Sequence, residues 1–260
     1  MLLGFSTLFA IRRGLSYALK RLQRGELRGA RVCEVVDEGA TRVDGRSARR
    51  VREVLDTLGL KLTVHAPFLD VNIASLSPSM RRASLRHLER SLQWTAKLEG
   101  ETWVVHGGAF PHPKVRGEAF DRMVSSLRRL VRVAEDLGVR VALENSAYGD
   151  FQLLASASEA LRAVEAVGSD HLGLCLDLGH ANIARQLDEF LSSEALARVV
   201  HVHLHDNDGR RDLHLPPGRG LINWPRALGR LREGFHGPAV IEVERLVGDG
   251  GLSYVLRLAS

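Results

Sequence analysis

Residues 102–145 read TWVVHGGAFPHPKVRGEAFDRMVSSLRRLVRVAEDLGVRVALEN. Thr102–His106 and Arg140–Glu144 are short, mostly apolar runs, as expected of strands buried on both faces of a parallel sheet. Between them Phe120, Met123, Leu127, Leu130, Ala134 and Leu137 recur at helical spacing, and Gly138 follows the last of them. This is one strand–helix–strand unit, and the chain repeats it. Equivalent apolar runs occur at Leu2–Thr7, Arg31–Val36, Lys61–Ala66, Leu172–Asp177, Val199–His205 and Pro238–Val243. A helix is expected after Ser77, an N-cap with Pro78 in the first turn, with Leu85, Leu88 and Leu92 on one face and Gly100 past its end. Eight such strands, with no linker or low-complexity break, predict a single (β/α)8 TIM barrel over residues 1–260. The rival, a doubly wound open sheet, usually carries a glycine-rich turn after its first strand, and none follows Leu2–Thr7.

Composition narrows the class further. With 45% hydrophobic and 26% charged residues, the chain has the make-up of a soluble globular protein. It has no apolar run long enough to span a membrane. The arginines of MLLGFSTLFAIRRG follow the apolar stretch, unlike the order of a secretory signal, so Leu2–Thr7 is read as a buried strand. The two cysteines, Cys33 and Cys175, lie in apolar runs and suit a reduced, cytoplasmic setting. The net charge of +5 permits an anionic partner, but it is almost all scattered arginine and forms no basic stripe.

The chemistry-bearing residues lie at one end of these runs. His65 ends the third strand, His106 the fourth, Glu144 the fifth and Asp177 the sixth, with His180 three residues on. His203 lies near the end of the seventh strand and Glu242 near the end of the eighth. In a barrel of this kind the C-terminal strand ends converge on one mouth. Several carboxylates buried together need counter-charge, and the strand ends supply almost no arginine. A divalent cation meets that need, and mixed carboxylate and imidazole donors suit zinc, manganese, iron or cobalt better than calcium. In HVHLHDNDGRRDLHLPPGRG (residues 201–220), His201, His203 and His205 share one strand face. His203 is read as the ligand, His201 as a deeper core residue, and His205 as a group behind the ligands or in the loop. Asp212 and His214 are expected to fold back over the mouth, with the rigid LPPGRG turn behind them. Trp103, out of phase with His106, should pack under a helix.

In order along the chain, HAPF, NIAS, VVHGG, LENSA, CLDLGHAN, HVHLHDND, DLHLPPGRG and VIEVE resemble the xylose isomerase-like TIM-barrel superfamily. That superfamily holds sugar isomerases and epimerases as well as endonuclease IV, which cleaves DNA at abasic sites. The resemblance implies that Glu144, Asp177, His203 and Glu242 bind the metal shared by the isomerase members. It also implies that His65, His106, His180, Asp212 and His214 are further ligands, for up to three ions, or bond substrate directly. The first strand, LGFST, lacks the histidine of the nuclease pattern, and Tyr148 interrupts the small residues expected after LENSA. Glu34, on the second strand, is expected near the mouth, where it would suit sugar hydroxyls and repel a phosphodiester.

The resemblance therefore favours a sugar or sugar-phosphate isomerase or epimerase that binds zinc, manganese or cobalt. Glu144 and Glu242 would move the proton on opposite faces of the substrate. Phe68 is either a wall for the sugar or ordinary loop packing, and Arg219 either meets a phosphate or distal hydroxyl or is a surface arginine. The alternative is a zinc-dependent abasic-site endonuclease with DNA as its partner, and a barrel that binds a ligand without turnover is a third class.

Overall fold

A computed structural model describes residues 1–259. Its strands are β1 (Leu2–Ser6), β2 (Val32–Val36), β3 (Lys61–His65), β4 (Thr102–His106), β5 (Arg140–Glu144), β6 (Leu172–Asp177), β7 (Val199–Leu204) and β8 (Pro238–Ile241). They pair in parallel in chain order, and β8 returns to β1, closing the barrel. The longer outer helices are α1 (Leu15–Gln23), α2 (Gly45–Leu58), α3 (Pro78–Lys97), α4 (Arg116–Leu137) and α5 (Ala157–Val167). After β6 the chain makes three short helices, α6 (Leu178–Ile183), α7 (Leu187–Phe190) and α8 (Ser193–Leu196). It ends with α9 (Trp224–Gly234) and α10 (Leu252–Ala259). No described helix is long and apolar enough to cross a membrane.

Local signals place these elements. The Ser77 side chain accepts from the Met80 N–H at the start of α3, with Pro78 in its first turn. Gly138 takes the left-handed conformation (φ 69°) that ends α4. Each strand then divides its side chains by alternation. Outward residues such as Leu62, Val64, Trp103, Val105, Val141, Leu143, Val202 and Leu204 join the helices in one continuous core. Trp103 is fully buried and donates its indole N–H to Ser91 of α3 at 3.1 Å, as its phase predicts. The inward set packs separately at depth, where Val104, Ala142 and Cys175 form a small cluster. Above it, toward the C-terminal ends, the inward positions become polar. His205 and Glu242 lie just past their ladders, although the Glu242 N–H still donates to the Leu204 carbonyl at 3.1 Å and so keeps the strand direction.

One irregularity positions the site. The β6–β7 register runs Leu174↔Val199 and then Cys175↔His201, so Val200 is an extra residue in β7. The bulge shifts the phase of β7 so that His201 lies beside inward Cys175 and His203 beside inward Asp177. Gly173 makes room for it, since a Cβ there would lie 2.4 Å from Val200 Cγ1 and 2.9 Å from the Arg198 carbonyl oxygen. Gly173→Ala is therefore expected to destabilise the fold by about 1–3 kcal/mol through overpacking. Thermal unfolding measures this directly, and an unchanged midpoint would show that the bulge does not depend on the glycine.

Candidate metal centre

The mouth gathers its polar residues around Glu144, which is 3% exposed. His65 Nε2 lies 3.2 Å and His106 Nε2 3.0 Å from Glu144 Oε2, while His203 Nδ1 is 3.3 Å and His180 Nδ1 3.4 Å from Oε1. His203 Nδ1 also faces Glu242 at 3.6 Å and Asp177 at 3.8 Å. The four residues expected to share one ion thus converge, joined through His203. Their neighbours form adjoining groups whose donor atoms lie within 4.8 Å of one another. One is His65, His106 and Glu144; another is Glu144, Asp177 and His203; a third is His180, His205, Asp212 and His214.

The loop after β7 does fold back. Asp206 and Leu215 exchange backbone hydrogen bonds at 2.8 and 2.9 Å, closing residues 207–214 into a loop over the mouth. The buried Asp206 carboxylate accepts from Trp224 Nε1 at 2.7 Å and from the backbone N–H groups of Gly218 and Ile222. Asp212 then reaches His180 Nε2 at 3.3 Å and His214 Nε2 at 3.4 Å. His214 holds a left-handed backbone (φ 43°), a strained conformation for a residue with a Cβ.

Supporting hydrogen bonds set how two histidines present themselves. His65 Nδ1 meets the Ala66 carbonyl at 2.8 Å, so Nδ1–H donates there and Nε2 is left toward Glu144. His180 Nδ1 meets the Asn145 carbonyl at 2.9 Å, which turns Nε2 toward Asp212. Asn145 also brackets Asp177, donating to its carbonyl at 3.1 Å and accepting its N–H at 2.7 Å.

Electrostatics follow from this crowding. Burial alone would push the His65 pKa down, but hydrogen-bonded Glu144 and the charges of Glu144, Glu242 and Glu34 raise it to about 9. Burial likewise opposes protonation of His214, and Asp212 beside it raises the value to about 9. His180 and His203 are also raised well above the ordinary range against burial, His180 chiefly by Asp177, and His203 by Cys175 and then Glu242. Burial would raise the Glu144 carboxyl, yet His106 and His203 hold it well below the usual carboxylate value. Imidazole nitrogens and carboxylate oxygens in these groups form a donor set suited to zinc, manganese or cobalt. Asp212 Oδ1, His205 Nδ1 and His214 Nδ1 are buried with no hydrogen-bond partner, which is how side chains stand around a cation site. The residues present fit the ion.

A cavity of about 320 Å³ opens beside these groups. Phe68, Val71, Ile73 and Leu88 form apolar parts of its wall, with His106, Glu144, Asp212, His214 and Glu242 among its polar residues. Phe68 stacks on His106 with ring centroids 5.8 Å apart. Glu34, an expected substrate contact, and Arg219, left open between a substrate contact and a surface arginine, both lie outside this lining. Glu34 is fully buried beneath the mouth against His201 and His203 and does not line the cavity. Arg219 is exposed outside the cavity, because the turn that carries it packs Gly218 against Tyr254 and Pro217 against Gly251 of the C-terminal segment. His205 is fully buried, 2.9 Å from Asp177 Oδ1, and stacks on His214 at 4.1 Å. Asn145 and Tyr148 were not singled out by sequence as site residues. The Tyr148 hydroxyl accepts the Asp212 N–H at 3.1 Å and so ties the β5 loop to the β7 loop. Asn145 directly follows Glu144, a hint the sequence did contain, and Tyr148 stood out only as an interruption of the small residues after LENSA.

A family profile described as xylose isomerase-like TIM barrel matches residues 26–252. By sequence the chain is 33% identical over 216 residues to an uncharacterised protein of Methanocaldococcus jannaschii, covering 80% of this chain and 73% of that one. It is 28% identical over 211 residues to the probable endonuclease 4 of Mycobacterium leprae, covering 78% and 81% respectively. By structure it is similar to a D-tagatose 3-epimerase-like protein, with a TM-score of 0.91 and 30% identity over 99% of this chain and 96% of that one.

The raised histidine values give a pH dependence with a definite sign. A group whose folded pKa exceeds its unfolded value stabilises fully below the unfolded value, near 6.5, and loses that contribution as pH rises through the folded value. With chelator present, the unfolding midpoint should therefore fall as pH rises from about 6.5 to about 9, through His65 and His214. Zinc or cobalt should remove the fall and raise the midpoint, because binding displaces those protons. A chelated protein whose midpoint climbs across the same window would contradict the assignment.

Proposed function

The chain belongs to the xylose isomerase-like TIM-barrel family, and from that premise we propose that it is a divalent-metal-dependent isomerase or epimerase of a sugar or sugar phosphate. The observation that carries this reading is the cavity of about 320 Å³, partly apolar and bordered by both Glu144 and Glu242. Its size is at the small end of ligand pockets, which suits a single small molecule. Glu144, Asp177, His203 and Glu242 would hold the primary ion. When bound, that ion would act as a Lewis acid on adjacent carbonyl and hydroxyl oxygens of the sugar, making the neighbouring C–H more acidic.

The protein's own groups supply the proton chemistry. Glu144 borders the cavity and would accept the proton from the carbon next to the carbonyl. Glu242, which borders the same cavity, would begin the cycle protonated and return that proton to the substrate, and the two carboxyls would recover their starting states by exchange with solvent. Phe68 would shield one side of the sugar from water, and His106, with its side chain 42% exposed, would bond a hydroxyl. A second reading, phosphodiester cleavage at abasic sites in DNA, is favoured by one observation: adjoining donor groups share Glu144. More than one ion would suit in-line displacement at phosphorus.

The two readings separate cleanly. In heavy water with a panel of ketoses, the isomerase reading expects deuterium to enter next to the carbonyl. Glu144→Gln and Glu242→Gln should each slow that exchange by about 10²–10⁴-fold. Nicking of an abasic duplex that weakens steeply with salt, with no exchange on any ketose, would replace this reading with the nuclease one.

A further inference from the structure

One buried carboxylate has no part in the chemistry above. Glu34 lies in the middle of β2, is wholly shielded from solvent, and points into the barrel below the mouth. Its Oε1 is 3.2 Å from His203 Nε2, and its Oε2 is 2.9 Å from His201 Nε2. Thr63, its ladder neighbour on β3, donates its hydroxyl to Oε2 at 3.3 Å. For stability alone an apolar side chain would serve here, since replacing a buried ion pair by well-packed hydrophobic groups is often neutral or stabilising. Val104 and Ala142 fill the barrel interior in that way.

The position of His203 explains the carboxylate. Its Nδ1 faces Glu144, Asp177 and Glu242, while its Nε2 faces Glu34. A histidine that offers Nδ1 to a cation must carry its proton on Nε2, and that proton needs an acceptor. An ionised carboxylate only accepts, so Glu34 excludes the other tautomer and the flipped ring. Thr63 donates to that carboxylate in turn, and the His201 imidazole lies against it. The β7 bulge places His201 and His203 on the same inward face, so both reach Glu34. Across the mouth, His65 and His180 have their Nδ1–H groups fixed by the carbonyls of Ala66 and Asn145. At His203 a carboxylate takes the place that a backbone carbonyl holds at His65 and His180.

We propose that Glu34 is a positioning residue for the metal centre: with His201 and Thr63 it locks His203 as the Nε2–H tautomer, with Nδ1 presented to the primary ion. The role rests on the metal centre proposed above and not on which reaction follows. With an ion held by His203, the carboxylate behind that imidazole would raise its basicity as a ligand.

The test uses the full chain with Co²⁺ as the probe, affinity being read by competition with a chromophoric chelator. Glu34→Gln should weaken binding about 10- to 100-fold while unfolding remains cooperative. The amide keeps the size of the side chain but has one acceptor oxygen and an NH₂ donor, so it no longer excludes the Nδ1–H tautomer of His203. The ring ¹⁵N shifts of His203, recorded with Zn²⁺, should report the Nε2–H tautomer in the wild type and a mixture in the variant. A purely structural role would leave that signature unmoved. If Glu34→Gln does not fold, Thr63→Val and the wild-type tautomer carry the test. Equal affinity in variant and wild type, or a wild-type His203 protonated on Nδ1, would overturn this role alone. A wild-type protein that binds no Co²⁺ or Zn²⁺ would overturn the metal centre and the role together.

Discussion

Crowding of ionisable groups around Glu144 governs this molecule. Four imidazoles lie within about 3.4 Å of one nearly buried carboxylate, and Asp177, Glu242 and Glu34 are buried close by. Removing so much charge from water is tolerable only if opposite charges compensate locally. Protonated His65, His180 and His203 can do so, and their pKa values rise while that of Glu144 falls. A divalent ion would do the same with neutral imidazoles, and proton and metal therefore compete for the same nitrogens.

The barrel makes that crowding possible by separating two tasks that share each strand. Outward side chains build the apolar core against the helices, while inward ones, two residues apart, are free to be polar near the C-terminal ends. Apolar Val104, Ala142 and Cys175 underlie the mouth. Among the described residues the barrel register shifts at the β7 bulge, and it does so where His203 meets Asp177.

The loop after β7 repeats the principle with backbone groups. Asp206 gathers the Trp224 indole and backbone donors of Gly218 and Ile222, and this anchors the return of the chain. Asp212 and His214 are consequently held over the mouth, and Tyr148 links them to the β5 loop. Gly179 takes part from below: a Cβ there would lie 2.0 Å from His205, so its absence lets that imidazole pack beside Asp177.

Much of this was legible in the order of residues. Strand periodicity and helix stops are local, so the eight runs and the closed barrel could be read directly. The residues at the strand ends could be read with them, because alternation and strand direction place them at one mouth. Depth and register were not legible. Glu34 was expected among substrate contacts, yet it is buried one level lower, because its level depends on pairing with Thr63 and on reaching His201 and His203 across the barrel. Arg219 was left open between a ligand contact and a surface arginine, and packing of its turn against the C-terminal segment leaves it exposed, outside the cavity lining. Nothing in the local pattern of β7 reveals that Val200 is an extra residue, since a bulge exists only relative to the strand beside it. The chain order thus specified which residues meet at the mouth, because strand geometry is local. Their depth, pairing and orientation were settled by partners far away in the chain, because register and loop return are properties of packed neighbours.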